Sequence, residues 1–156
     1  MSAQASPHTS DLLFRPDAFF IKPWRGWGVM RDGRGRPLSR YSAHGGGETG
    51  RRSATTRQTI SFDTGASSTV AWEIATDDEE QFWARDLESG VEARGRQLGN
   101  DFEWLFPTTV KTRLGPLKAR SRVIYTLASP TTAFSFAETR WFGVLLSSFV
   151  TFYEQI

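Results

Sequence analysis

The stretch Thr59–Ile74, "TISFDTGASSTVAWEI", decides how the chain is read. Before Asp63 the residues alternate, with Ile60 and Phe62 on one side and Thr59 and Ser61 on the other. After Gly65 the alternation resumes, and Val70, Trp72 and Ile74 share a face. Two period-two runs joined by Asp-Thr-Gly read as a β-hairpin. Asp63 accepts local backbone N–H bonds in the turn, and Gly65 supplies a positive φ.

"FDTGASS", Phe62 to Ser68, also resembles the active-site turn of aspartic proteases, and "LGNDF" from Leu98 resembles the hydrophobic–Gly segment behind that turn. Such an enzyme needs two carboxylates sharing one proton, so a single Asp63 would require a retroviral-type dimer. Three features oppose this. Thr59 and Ser61 make the preceding strand polar on one face. Gly99 follows Asp63 by only 36 residues, a short interval for a flap and its strands. Beyond Gly99 another 57 residues continue with strand patterning, where a retroviral-type subunit is nearly finished. The hairpin is the preferred reading, with a protease through Asp63 as a remaining alternative.

Outward from the hairpin the pattern repeats. "WRGWGVMRD" runs into the turn signal "DGRG" at Asp32–Gly35, and "RPLSRYSAH" leads away. Gly45–Gly47 and "ETGRRSATT" read as a loose polar loop, and "DDEE" as an acidic turn before "QFWARDLE". "VEARGRQ" and "FEWLF" follow, and a looser segment containing Pro107 and Pro116 precedes "LKARSRVIYTLA". "TTAFSFAE" and "RWFGVLLSSFVTFYE" complete the series. Serial hairpins without amphipathic helices close their exposed edges by forming a barrel. The expected fold is all-β: one antiparallel up-and-down barrel of roughly eight to ten strands. "DLLFRPDAFFI" predicts a short N-terminal helical segment ended by Pro23. Residues 1–10 read as a disordered lead-in and 11–156 as the barrel domain. The last strand is apolar on both faces, which suits a closing strand packed inward and, outside, against the N-terminal segment.

Composition narrows the function classes. The chain has 156 residues, net charge +2 and no cysteine, so disulfides, thiolate catalysis and cysteine-based zinc sites are excluded. Basic residues are interspersed with acids, which nominates no nucleic-acid partner. The start has no signal-peptide pattern, and Trp141–Tyr153 is too short for a membrane span, so a cytoplasmic protein is expected. His8 and His44 form no metal or nucleophile-relay spacing, and no cofactor is implied.

One segment carries a more specific signal. "ARGRQLGNDFEW" reads Ala93-x-Gly95-x-x-x-Gly99-Asn100-x-x-x-Trp104, then Phe106. It resembles an uncharacterised bacterial domain-of-unknown-function family of lipocalin-like (calycin-type) barrels, whose members carry A-x-G-x-x-x-G-N-A-L-x-W-x-Y. Ala84-Arg85-Asp86 resembles the family's Ala-x-Asp before that motif. "FDTGASSTVAWEI" is similar to its F-x-x-D-G turn, and "RWFGVLLSSFVTFY" to its closing strand. The likeness runs from about Phe14 to Tyr153, and what it implies is the fold. Ser121-Arg122-Val123 departs from the family's Asp-Asp-Trp, and extra residues surround Ser89 and Glu92. Read by itself, the motif puts Ala93, Gly95 and Gly99, with Gln97 between, on one face, where small residues let a neighbour approach closely or leave room inside a barrel.

The aromatic supply suggests a guest. Trp27, Phe62, Trp72, Phe82, Trp104 and Tyr125 lie on strands, and such rings either fill a small barrel or line a site for one ligand. Asp86 shares a strand face with Phe82 and Ala84, which would turn it inside; Arg94 or Arg31 could instead pair with it across strands, and a hydrogen-bonded Asp tying two strands together is the preferred structural reading. Two functions follow. One is non-enzymatic binding of a small apolar molecule, a fatty acid or related lipid, by these eight residues. The other is a small barrel enzyme, such as a lipid-modifying one, with Asp86 as acid or base. The sequence leaves the oligomeric state open.

Overall fold

A computed structural model describes residues 12–76 and 81–156 of the chain. The proposed lead-in and the "DDEE" turn lie outside the described residues. One short helix, α1 (Pro16–Phe19), precedes ten strands: β1 (Trp24–Asp32), β2 (Pro37–Thr49), β3 (Ser53–Phe62), β4 (Ser67–Thr76), β5 (Gln81–Asp86), β6 (Glu92–Leu98), β7 (Asp101–Thr112), β8 (Gly115–Ser129), β9 (Thr132–Trp141) and β10 (Val144–Gln155). Each strand pairs antiparallel with the next. β1 pairs with β10 from Trp24↔Gln155 to Asp32↔Ser147, closing the barrel. The fold is the up-and-down barrel expected from the hairpin series.

Two segments read as loops are strand. β2 continues through Gly45–Gly47 to Thr49, because glycine there permits close approach: a Cβ at Gly45 would stand 2.7 Å from the Trp24 indole. β7 and β8 run on through Pro107 and Pro116 as one long hairpin. Beyond Leu105, β7 has no partner on β6, and this local edge is where a sheet accepts proline.

The Asp-Thr-Gly hairpin is a turn. Asp63 is exposed, the Arg40 N–H donates to its Oδ2 at 3.1 Å, and Gly65 has φ +91°. The carboxylate therefore ties the β3–β4 turn to β2.

The end of the barrel opposite these turns is stoppered from inside. Phe14, Phe19, Phe20 and Trp24 are buried there, with Phe14 stacked on Tyr125 at 4.9 Å. The Phe14 N–H donates to the Asn100 carbonyl and the Gln97 amide donates to the Phe14 carbonyl. Among the described residues, 14–24 thus cover the barrel's interior end and not the outer face of the last strand. On that face Phe152 lies between Trp27 and Phe134, and Val150, Trp27 and Phe134 are exposed.

Outside, Glu103 is 1 % exposed and accepts from Arg96 (2.9 Å) and Arg122. Burial alone would raise its carboxyl pKa, but these two arginines together hold it below the usual range.

The glycine–ring fit has a testable cost. A Cβ at Gly95 would come within 2.6 Å of Phe102 and Trp104 side-chain atoms. Gly95→Ala is expected to destabilise by roughly 1–3 kcal/mol through overpacking, read as a lowered urea midpoint at unchanged slope. Wild-type stability would show that the rings move aside freely.

Candidate functional site

Strand parity sends Trp24, Tyr41, Gln58, Trp72, Trp104, Val123, Tyr125 and Tyr153 inward. Between them lies a cavity in two lobes of about 200 Å³ and 140 Å³. Trp24, Gln58, Val123 and Tyr125 wall both lobes. Together the lobes reach the lower end of the roughly 300–1,000 Å³ usual for small-molecule sites.

Trp72, Trp104 and Tyr125 border the larger lobe; Phe62 and Tyr125 border the smaller. Phe82 is buried against Phe102, edge to face at 4.9 Å, and borders neither lobe. The structure does not bring Trp27, Asp86 and Arg94 to this interior. Trp27 lies three residues from Trp24, hence on the opposite strand face. It is 45 % exposed, stacked on Phe152, with the Arg25 guanidinium over its ring. Arg94 alternates with buried Ala93 and Gly95 and is exposed. Asp86 has the expected parity, but β5 ends on it. Its Oδ1 accepts the N–H groups of Glu88 (2.8 Å) and Ser89 (3.1 Å), so the carboxylate caps the β5–β6 turn.

Sequence reasoning missed Trp24 and Gln58. Trp24 is 1 % exposed and its indole Nε1–H has no hydrogen-bond partner. Trp24 pairs with Gly45, and Gly45 with Gln58, so the three form one row across β1, β2 and β3. Without a side chain at Gly45 the indole lies across β2. A Cβ there would be 2.9 Å from Cε2, the carbon bonded to Nε1. The signal available in sequence was weak, because the glycines around Trp24 and Trp27 give no hydropathic sign to either face.

The remaining interior polar groups are neutral hydroxyls. Tyr41 and Thr151 hydroxyls lie 2.5 Å apart, and those of Tyr153 and Ser135 lie 3.1 Å apart. Burial pushes the Tyr41 hydroxyl up to about 12, against the lowering effect of Thr151. Burial likewise raises Tyr125 and Tyr153. Arg57 is the one charged residue bordering the lobes, and it is exposed on a strand whose alternation turns it outward. Among the described residues no group of acidic or histidine side chains could hold a metal ion, and no helix is long and apolar enough to cross a membrane.

A family model described as protein of unknown function (DUF3833) matches residues 3–155. No curated protein matches the sequence. Among solved structures, the S-type phycobiliprotein lyase CpeS from Guillardia theta is similar at 8 % identity and TM-score 0.65, covering 90 % of both chains. That likeness is one of fold. A Bacteroides fragilis protein with a YmcC-like fold shares 11 % identity over 86 % of this chain and 97 % of its own, at TM-score 0.38.

Two outcomes are expected. All three tyrosines point inward, with folded pKa values above the ordinary 10.0. Native tyrosinate absorbance should stay flat at pH 10.0, with Tyr41 ionising only toward about 12. Because the folded values are raised, their stabilisation is complete below the unfolded value and is lost as pH climbs above it toward the folded values. A native titration superimposable on that in urea would contradict the buried hydroxyls. For the turn, Asp63→Asn should cost about 1 kcal/mol or less, with no peptide cleavage in either protein. Cleavage abolished by this substitution would restore the protease reading.

Proposed function

The chain belongs to the DUF3833 family of proteins of unknown function, and from its interior we propose that it binds one small apolar molecule, a fatty acid or related lipid, inside the barrel. The observation that carries the reading is the unpartnered indole N–H of Trp24 beside an aromatic cavity. A buried donor without an acceptor is costly, and a guest oxygen placed there relieves that cost. Rings hold the apolar body while Trp24 and Gln58 orient its polar end. The same barrel fold serves a lyase elsewhere, so the scaffold itself names no chemistry.

The donors available to the guest are neutral. A carboxylate would lose its water without meeting a cation, which is expensive. The best-matched guest carries an uncharged acceptor such as an ester or protonated acid. An enzyme using Asp86 has less support, since that carboxylate is taken up by its own turn.

Titrating a fluorescent fatty acid and its methyl ester, while following tryptophan emission, tests the reading. Saturable quenching is expected for both. Affinity for the acid should fall as pH rises through the carboxyl range, roughly pH 4–6, while the ester's stays level. Trp24→Phe should weaken the ester roughly fivefold, the value of about one neutral hydrogen bond. Quenching that never saturates, or that is indifferent to Trp24, would reject the interior as the site.

A further inference from the structure

The turn-bearing end of the barrel is asymmetric in a way the interior does not explain. Barrel order places the β1–β2, β9–β10 and β7–β8 hairpins side by side along one half of this rim. The β7–β8 and β9–β10 tips carry uncovered apolar residues, while the β1–β2 tip is glycine and arginine with Leu38 just beyond it. Leu114 is 101 % exposed and Phe142 90 %, and Leu38, Trp141 and Val144 are exposed beside them. Phe142 has φ +46° and Gly143 φ +79°, a mirror-image turn that ordinarily takes Asn-Gly. Phe142 is the one non-glycine residue with positive φ among the described residues. A bulky ring in that conformation is disfavoured, and here it packs only edge-on to Trp141, at 5.1 Å. The Arg140 guanidinium donates to the Gly143 carbonyl at 3.1 Å and braces the turn.

The charge around these tips is one-sided. Residues 31–40, 111–120 and 138–144 contain nine cations: Arg31, Arg34, Arg36, Arg40, Lys111, Arg113, Lys118, Arg120 and Arg140. They contain two acids, Asp32 and Glu138, paired with Arg36 and Arg140 at 3.1 Å each. The other half of the rim reverses the sign. Residues 62–68 and 85–92 hold Asp63, Asp86, Glu88 and Glu92 against Arg85.

We propose that this basic half-rim docks on an anionic lipid bilayer. Phe142, Trp141 and Leu114 enter the interfacial layer, and the surrounding arginines and lysines meet lipid phosphates. Cations alone would suit any polyanion. The exposed apolar tips are what select a surface with an apolar interior. The wall below is mixed, with exposed Trp27, Phe134, Phe136 and Val150 beside the ion pairs of Arg25 with Glu154 and of Arg96 and Arg122 with Glu103. The acidic half-rim tilts away from the same surface. This inference does not depend on the interior ligand.

Flotation of the full chain with phosphatidylcholine vesicles, made with or without phosphatidylglycerol, tests it. Binding is expected only to the anionic vesicles, weakening as salt screens the charges. Phe142→Asn relieves the turn conformation, so the variant should fold at least as well while losing roughly threefold to tenfold in vesicle binding. Leu114→Ser should do the same, and Lys111→Glu with Arg113→Glu should remove the lipid preference. Interior titrations of these variants should be unchanged, which keeps the two readings separable. Equal binding to both vesicle types, or wild-type binding by the Phe142→Asn, Leu114→Ser double variant, would overturn the proposal. So would tighter binding to duplex DNA than to anionic vesicles, indifferent to Phe142→Asn.

Discussion

Rings laid over glycines organise this barrel. The Trp24 indole crosses Gly45, the Tyr41 ring occupies the space beside Gly28, and Phe102 and Trp104 fill the space beside Gly95. In each case the absent side chain lets a large ring lie close to the neighbouring strand. Were those positions ordinary side chains, the rings would be forced toward the axis and the cavity would close. The two lobes exist because the bulk is pressed against the wall.

That arrangement also sets the chemical character of the interior. Hydroxyls, three indoles and one amide are the polar groups bordering the lobes from within, while the charged residues of the wall point outward. Burial keeps the tyrosine hydroxyls protonated well past their ordinary range. The inside is thus a neutral, weakly donating space, in which a bare charge would be costly.

The fold was legible because alternation and turn chemistry agree along most of the chain, and the Asp63–Gly65 turn forms as its residues require. Legibility failed where backbone approach, rather than side-chain hydropathy, was the deciding factor. Gly45–Gly47 reads as loop in composition yet is strand, since only the tertiary neighbour reveals why a side chain is missing. The same blindness hid which of Trp24 and Trp27 faces inward. Both are aromatic, three residues apart, and Gly26 and Gly28 give the face they share no hydropathic sign. Asp86 shows a second kind of failure: parity assigned its face correctly, but the end of the strand handed its carboxylate to a turn.

Closure by β1 against β10 has a consequence for synthesis. The first strand made pairs with the last, so the barrel cannot shut while its C-terminal strand is still within the ribosome. Until then Trp24, Trp27 and Val29 lack one neighbouring strand, and β1 offers a bare edge to other chains. Contacts spanning nearly the whole length are slow to form, and partly made sheets with open edges aggregate readily. A fold whose seam joins its first and last strands therefore places its greatest hazard during translation.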